Sequence, residues 1–362
     1  MRLRHFETLR PVCPVCRGAG HGDFPLRIAQ VCRERQGDVL EGVLHCGNTD
    51  CRREYPIIDG IPLLIGNLRQ YVADNFGLIS MRRDISPLIE SILGDCCGPG
   101  SAFDQTRQQI SSYVWEHYGD LDPGFATGEF KPGSMMESLQ AGLELAATLQ
   151  AGPIIDLGCS VGRSSLALAE AGSELVLGVD LNYPMLRFAS EVLHEGTVRY
   201  PLRRAGLVYE RREFATRFAH PEQVDFWACD ATALPLPADT FALAVNLNVL
   251  DCVSSPRELL VSIGRLLKEG GKAILTCPYD WSPTATALEA WVGGHSQRGP
   301  LGGSCEAVLR ALLTPGAHPG SLTTLKLVAE REKLPWRLRL HDRSTMNYEV
   351  HLVIAQRASL KL

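Results

Sequence analysis

No stretch of the chain approaches the roughly 20 uninterrupted apolar residues that a membrane helix needs. The run IIDGIPLLIG at 57–66 is half that length and carries Asp59. The start, MRLRHFETLRPVCPVC, holds no apolar core of the kind a secretory signal has. Neither sign of charge dominates: 36 Lys and Arg stand against 41 Asp and Glu, a net charge of -5. That balance argues against a chain built globally to hold polyanions, and 21% charged with 45% apolar residues argues against disorder. The expectation is a soluble, cytoplasmic protein with no membrane partner.

At 362 residues the chain is long enough for two domains, or for one large domain with an appendage, and can bury a core without disulfide staples. Its compositional oddity is 12 cysteines, seven of them within the first 97 residues (Cys13, Cys16, Cys32, Cys46, Cys51, Cys96 and Cys97). Without an export signal, clustered thiols point to a metal more than to disulfides. Cys13-Pro-Val-Cys16 is a knuckle that aims two thiolates at one cation, and Cys46 and Cys51 in HCGNTDC form a second pair. Tetrahedral Zn2+ takes four such ligands. Cys32 and His45 are possible substitutes in the set, whereas Cys96 and Cys97 read as ordinary thiols.

After the second pair the chain runs CRREYPIIDGIPLLI. Over about residues 8–66 this resembles the short zinc-ribbon family that includes the activator subunit of tRNA, rRNA and protein methyltransferases. There a Cys-Pro-x-Cys opens the chain and a second pair leads into a Tyr-Pro-Ile-x-x-Gly-Ile-Pro strand. The four residues between Cys46 and Cys51 are a wider spacing than the first pair has. The resemblance implies a closed four-thiolate site with a structural or recognition role, not a catalytic one.

Residues 67–135 read as a helical linker or cap. ADNFGLISMRRDISPLIESILG supplies a helix before the Cys-Cys-Gly-Pro-Gly break at 96–100. In TRQQISSYVWEHYGDLD, Ile110, Tyr113, Trp115 and Tyr118 recur at helical intervals, a stripe that reads as core. Pro-Gly pairs at 123–124 and 132–133 precede a further helix, SMMESLQAGLELAATLQ.

From 153 onward apolar runs alternate with amphipathic segments: PIIDL, LVLGVD, VDFWAC, FALAVNL and KAILTC. That alternation implies an α/β fold with a doubly wound, Rossmann-like sheet, whose crevice lies at the carboxyl ends of the strands. The first run ends in Asp156-Leu-Gly158-Cys159-Ser160-Val-Gly162. This is not the Gly-x-Gly-x-x-Gly of a dinucleotide site. An acid before the first glycine repels a pyrophosphate but suits a ligand carrying an ammonium group. Asp180 ends the second run, where an acid accepts hydrogen bonds from ribose hydroxyls. Asp230-Ala231 follows the third, placed to read an adenine edge, and Asn246-Leu247-Asn248 follows the fourth.

These residues resemble a class I S-adenosylmethionine-dependent methyltransferase, over about 136–362 and most strongly through 154–282. The resemblance implies that Asp156 and Gly158 to Gly162, with Cys159 and Ser160, hold the methionine portion. Asp180 with Leu181 would hold the ribose, Asp230 and Ala231 the adenine, and Asn246 to Asn248 the sulfonium side. Ser160 stands where many members have a second glycine, which ordinary backbone angles would tolerate. The cofactors implied are S-adenosyl-L-methionine and a structural Zn2+. The division is a ribbon at 1–66, the linker or cap at 67–135, and the methyltransferase domain at 136–362, with an insertion at about 190–223.

Two regions bear on the acceptor. The insertion carries Arg199, Arg203, Arg204, Arg211, Arg212 and Arg217 against Glu210 and Glu213. After the fifth strand, CPYDWSPTATALEAWVGGHSQRGP offers Tyr279, Trp281, Trp291 and His295. Arg199-Tyr200, Asn248 with Asp251, Pro278-Tyr279-Asp280-Trp281, Trp291-Val-Gly293-Gly294 and the tail RLHDRSTMNYEVHLVIAQR resemble the carboxy-terminal methyltransferase domain of ovothiol biosynthesis enzymes. In those enzymes that domain N-methylates the imidazole of a thiolated histidine, although here a zinc ribbon replaces their iron-dependent region. The implied acceptor is a small polar molecule bearing an imidazole or thiol, with Asp251, Tyr279, Trp281 and His295 as candidate catalytic residues. Two other readings stay open at this point. One is a methyltransferase acting on RNA or protein, with ribbon and arginines as docking surfaces. The other is a non-catalytic activator that only binds the cofactor.

Overall fold

Residues 1–82, 85–124, 131–172, 175–299 and 301–358 are described by a computed structural model. Two short helices, α1 (Leu3–Leu9) and α2 (Pro14–Gly18), precede four antiparallel strands: β1 (Leu26–Arg35), β2 (Asp38–Cys46), β3 (Glu54–Ile58) and β4 (Ile61–Pro62). α2 starts at Pro14, where the missing amide of proline costs nothing, so the knuckle turns directly between Cys13 and Cys16. β3 and β4 are the Tyr-Pro-Ile and Gly-Ile-Pro runs, and Gly60 turns between them at φ +79.

The next segment forms α3 (Leu68–Ile79), α4 (Pro87–Cys97) and α5 (Ala102–Tyr118), followed by α6 (Ser134–Ala146). One helix was expected across 73–94. Instead α4 begins anew where Ser86 caps the Ile89 amide and Pro87 occupies the first helical position. Ile110, Trp115 and Tyr118 are core residues, as their spacing predicts, whereas Tyr113 is only half-buried.

The large sheet contains β5 (Ile154–Leu157), β6 (Val176–Asp180), β9 (Val224–Ala228), β10 (Phe241–Leu247), β11 (Leu267–Cys277), β12 (Leu325–His341) and β13 (Ser344–Arg357). A separate hairpin, β7 (Thr197–Ala205) and β8 (Val208–Ala215), fills the insertion. The sheet order is β12-β13-β11-β10-β5-β6-β9, parallel except for β13, which runs antiparallel to both its neighbours. Strand order reverses between β5 and β10, which opens a crevice at their carboxyl ends. Helices α7 (Arg163–Glu170), α8 (Tyr183–Glu195), α9 (Pro256–Leu266) and α10 (Cys305–Leu312) complete the domain. α9 shows the local logic: Ser255 accepts from the Glu258 amide, Pro256 is the first helical residue, and Leu259, Leu260, Ile263 and Leu266 face inward.

The ribbon, a sheet of its own, docks against the β9 end of the large sheet. Leu63 bridges Ala228 in parallel register, and the Leu64 amide donates to the Ala228 carbonyl at 2.9 Å. That bridge ties the ribbon to the carboxyl end of β9. Further ties are the Val12 amide to the Pro235 carbonyl at 2.9 Å and the Arg17 guanidinium to the Leu234 carbonyl at 2.8 Å. Apolar residues of ribbon and sheet share one core, including Leu44, Tyr55 and Ile57 with Leu177, Val179 and Trp227. Among the described residues no helix is long and apolar enough to cross a membrane.

Candidate functional site

A cavity of about 900 Å³ opens at the carboxyl ends of β5, β6, β9 and β10. Its first half is built from strand ends. Gly158, at φ +76, lets the chain turn off β5 where a Cβ would stand 2.3 Å from Val249 Cγ2. Ser160 follows at φ 51, in the left-handed region, so the condition under which serine would be tolerated freely is not met. Its amide donates to Asp180 Oδ2 at 2.9 Å and its hydroxyl meets Met185 Sδ at 3.0 Å, which holds the strained turn in place. Asp180 Oδ1 accepts from the Asn182 amide at 2.8 Å, and Asn182 in turn caps α8. Burial raises the Asp180 carboxyl above the usual carboxylate range. Asp230 accepts from both the amide and hydroxyl of Thr232, at 2.8 and 2.7 Å.

Gly158, Ser160, Asp180, Leu181, Asp230, Ala231, Leu247 and Asn248 all line the cavity. Asn248 sits at φ 57, with its side-chain oxygen accepting from the Thr276 hydroxyl at 2.8 Å. Asp156, Cys159, Gly162 and Asn246 lie behind this wall. Asp156 is 1% exposed and accepts from the hydroxyls of Ser164 and Ser165 at 2.6 and 2.7 Å; burial pushes its carboxyl up to about 6. The Asn246 amide donates to the Leu157 carbonyl at 3.1 Å, tying β10 to β5. Gly162 leaves room for Phe226 and Ala189, since a Cβ there would stand 2.6 Å from Phe226 Cζ.

Beyond the strand ends the cavity is walled by Asp251, Asp280, Trp281, Trp336 and Tyr348, and α5 adds Gln109, Tyr113 and His117, with Gln109 accepting from the Asn182 side chain at 3.3 Å. The segment expected to be linker and cap therefore supplies one wall. Asp251 is buried, its Oδ2 accepting from the Asp280 amide at 2.8 Å, and burial raises its carboxyl. Tyr348 donates to Asp280 Oδ2 at 2.9 Å. Burial, then the charges of Cys252, Asp180 and Asp251, push the Tyr113 phenol up to about 12. His117 is 4% exposed, and burial reinforced by Arg163 pulls its imidazole down to about 3.

Of the four candidate catalytic residues, Asp251 and Trp281 line the cavity and Tyr279 and His295 do not. Tyr279 instead bonds His351 Nδ1 at 2.7 Å, and His351 reaches Glu330 at 3.0 Å. His295 is exposed in a loop with its Nδ1 3.1 Å from the Gly293 carbonyl. Trp281 stacks on Trp291 with ring centroids 5.5 Å apart. Sequence spacing missed Tyr113, His117, Trp336 and Tyr348. The α5 pair shares its helix with core residues, and the β12–β13 pair lies far along the chain in an arginine-rich tail.

The insertion arginines are largely engaged. Arg199 pairs with Glu213 at 2.8 Å, Arg204 with Asp342 at 3.0 Å, Arg211 with Glu90 at 2.6 Å and Arg212 with Asp122 at 2.7 Å. Arg203 donates to the Gln108 side chain at 2.9 Å, and Arg217 is exposed.

The Sγ atoms of Cys13, Cys16, Cys46 and Cys51 all lie within 4.8 Å of one another. Cys13 and Cys51 are 3.9 Å apart, Cys16 and Cys46 3.7 Å. Tetrahedral zinc with Zn–S bonds of about 2.3 Å spaces its sulfurs by about 3.8 Å, so the donor set fits that ion. The wider second pair closes through a turn in which the Cys51 amide donates to the Asn48 carbonyl at 3.2 Å. The Asn48 amide donates to Cys46 Sγ at 3.3 Å, and Tyr55 OH lies 3.1 Å from Cys13 Sγ, supporting the thiolates from outside. Cys32, Cys96 and Cys97 are exposed, and Cys32 and His45 lie outside the cluster.

Residues 155–275 match the family model described as a methyltransferase domain, and residues 5–60 match that of Trm112p-like protein. The chain thus joins a methyltransferase domain to a Trm112p-like domain that carries the four-cysteine cluster. Among curated proteins none matches it. Phosphoethanolamine N-methyltransferase 2 of Haemonchus contortus, solved with S-adenosyl-L-methionine, is 21% identical over 45% of this chain and 32% of its own, with a TM-score of 0.32. The chain therefore spans about a third of that protein's length. A chain from the complex between the Haloferax volcanii Trm112 methyltransferase activator and a putative methyltransferase is 13% identical, covering 71% of this chain and 99% of that one, at a TM-score of 0.42. A SAM-dependent methyltransferase of Methanosarcina mazei is 22% identical over 58% of this chain and 94% of its own, at a TM-score of 0.36.

Proposed function

We propose that this protein transfers a methyl group from S-adenosyl-L-methionine to a nitrogen or sulfur of a small polar acceptor, such as an imidazole- or thiol-containing metabolite. The observation that carries this reading is the divided cavity. Strand-end residues form one half, and aromatics with two carboxylates form the other. Sites for drug-sized ligands span about 300–1,000 Å³, so about 900 Å³ accommodates a cofactor with a small molecule beside it.

The cofactor supplies an activated methyl carbon, open to in-line attack by a lone pair. This chain's residues contribute alignment and shelter from water. Asp180 presents two carboxylate oxygens to the ribose, Asp230 with Ala231 faces the adenine, and Gly158 with Ser160 passes close to the amino-acid portion. Leu247 and Asn248 border the reacting centre. Asp156 acts from behind, holding Ser164 and Ser165 at the start of α7. Asp251 faces the acceptor, where it orients a nitrogen or receives its proton.

Paired arginines weigh against an RNA acceptor, because phosphate contacts need free cations. A ribbon docked on its own methyltransferase sheet, through Leu63, Leu64, Val12 and Arg17, weighs against a role confined to activating other proteins. Incubating nuclease-treated enzyme with methyl-labelled cofactor and a small-metabolite extract should yield one labelled product, at a rate nearly independent of salt. Labelling confined to RNA or protein, falling steeply with salt, would overturn the acceptor class. Asp180→Ala should weaken cofactor binding at least tenfold by calorimetry, since hydrogen bonds to a charged group contribute about 1.5–3 kcal/mol. Unchanged affinity would remove Asp180 from the site.

A further inference from the structure

We propose that the acceptor half of the cavity is a cation subsite, which takes a small amine whose protonated nitrogen pairs with the carboxylates of Asp251 and Asp280. This rests on the methyltransferase reading and deepens it by fixing the charge of the acceptor. The described residues lining the cavity include four aspartates and no lysine or arginine. Two of those acids, Asp180 and Asp230, stand among the cofactor-side strand ends. Asp251 and Asp280 lie beyond them and are joined to each other, Asp251 Oδ2 accepting the Asp280 amide at 2.8 Å. Tyr348 donates to Asp280 Oδ2 at 2.9 Å, which fixes that carboxylate in the wall.

His117 is 4% exposed, lines the same cavity, and has no hydrogen-bond partner for Nδ1. Its burial keeps the ring neutral, so it adds no positive charge to the cavity. Trp281 and Trp336 line the same half with aromatic surface, which favours a cation over an anion. A carboxylate- or phosphate-bearing acceptor would meet uncompensated acids there. The arginines that could have offset them are paired in the β7–β8 hairpin. An ammonium beside Asp251 favours its ionised form and so opposes the burial that raises its carboxyl.

The test uses three probes with one ring and different charge: histamine, 4-methylimidazole and imidazole-4-acetate. Each is titrated into the full chain saturated with S-adenosylhomocysteine. The expected result is histamine binding at least tenfold tighter than imidazole-4-acetate, with 4-methylimidazole between them. Asp280→Asn should cut that preference to about threefold or less while S-adenosylhomocysteine affinity holds, and Tyr348→Phe should reduce it by a smaller factor. Asp280 is exposed, so its substitution should leave the fold intact, and a urea unfolding midpoint checks this for both variants. Equal binding of histamine and imidazole-4-acetate, no binding of any probe, or an undiminished preference in Asp280→Asn would overturn the cation subsite. Failure of S-adenosylhomocysteine itself to bind would instead overturn the methyltransferase reading.

Discussion

Ser160 holds a left-handed backbone at φ 51 in the loop that leaves β5, although only glycine adopts that region without a Cβ penalty. Its amide bond to Asp180 and its hydroxyl contact with Met185 hold the conformation against that cost. Ser160→Gly should therefore stabilise the fold by up to about 1 kcal/mol, reduced by the greater freedom of glycine in the unfolded chain. Urea unfolding of the two proteins measures this; a loss of stability would mean that the Met185 contact outweighs the strain. The loop residues were legible in the sequence because a strand must end before a ligand-binding turn, and the residue types there are few. The strain at Ser160 was not, because a serine codon carries no sign of φ. His117 was hidden for a different reason: a helical stripe has the same period whether it faces a core or a cavity.

Helix α5 places two titratable residues side by side with opposite consequences. Glu116 is buried, its Oε1 accepting from the Met135 amide at 2.8 Å, and burial pushes its carboxyl from 4.5 up to about 8. Next to it, His117 is pulled from 6.5 down to about 3. The Glu116 contribution is complete below pH 4.5 and is lost as pH rises to about 8, because the unfolded chain releases its proton first. The His117 contribution is complete above pH 6.5 and is lost as pH falls to about 3, because the unfolded chain gains a proton first. Between 4.5 and 6.5 the two slopes oppose each other, and above 6.5 only that of Glu116 remains. Stability should then fall by about 1–2 kcal/mol from pH 6.5 to 8, at up to about 1.4 kcal/mol per unit for one group. Glu116→Gln keeps the acceptor for the Met135 amide and should flatten that decline. Urea midpoints at the two pH values decide it, and an equal decline in both proteins would refute the assignment. The existence of α5 followed from its spacing. Its place beside the crevice did not, since that depends on how the helix docks onto β7 and β12.

The two modules were each legible from short motifs, four cysteines in one and four strand ends in the other. Their joint was not, because an edge pairing between Leu63 and Ala228 needs the two surfaces in three dimensions. That joint has a consequence for the whole molecule. The Leu64 amide holds the last residue of β9, and Val12 and Arg17 hold the carbonyls of Pro235 and Leu234. Between these anchors lie Cys229, Asp230 and Ala231, which line the cavity. Zinc would hold Cys13, the residue that opens α2, together with Cys16 inside it, and Arg17 extends from that helix. Removing zinc should therefore loosen the 229–236 segment and weaken cofactor binding without any contact between metal and cofactor. Chelation should lower S-adenosylhomocysteine affinity about fivefold or more by calorimetry, and restored zinc should recover it. Because coupling between two binding equilibria is reciprocal, saturating S-adenosylhomocysteine should by the same factor tighten the hold on zinc in competition with a chelator. Arg17→Ala leaves all four thiolates in place and cuts the tie to Leu234, so it should retain zinc yet show part of the affinity loss. Full cofactor affinity in the chelated protein, with metal analysis confirming that zinc is gone, would show that the ribbon and the cofactor site are energetically separate.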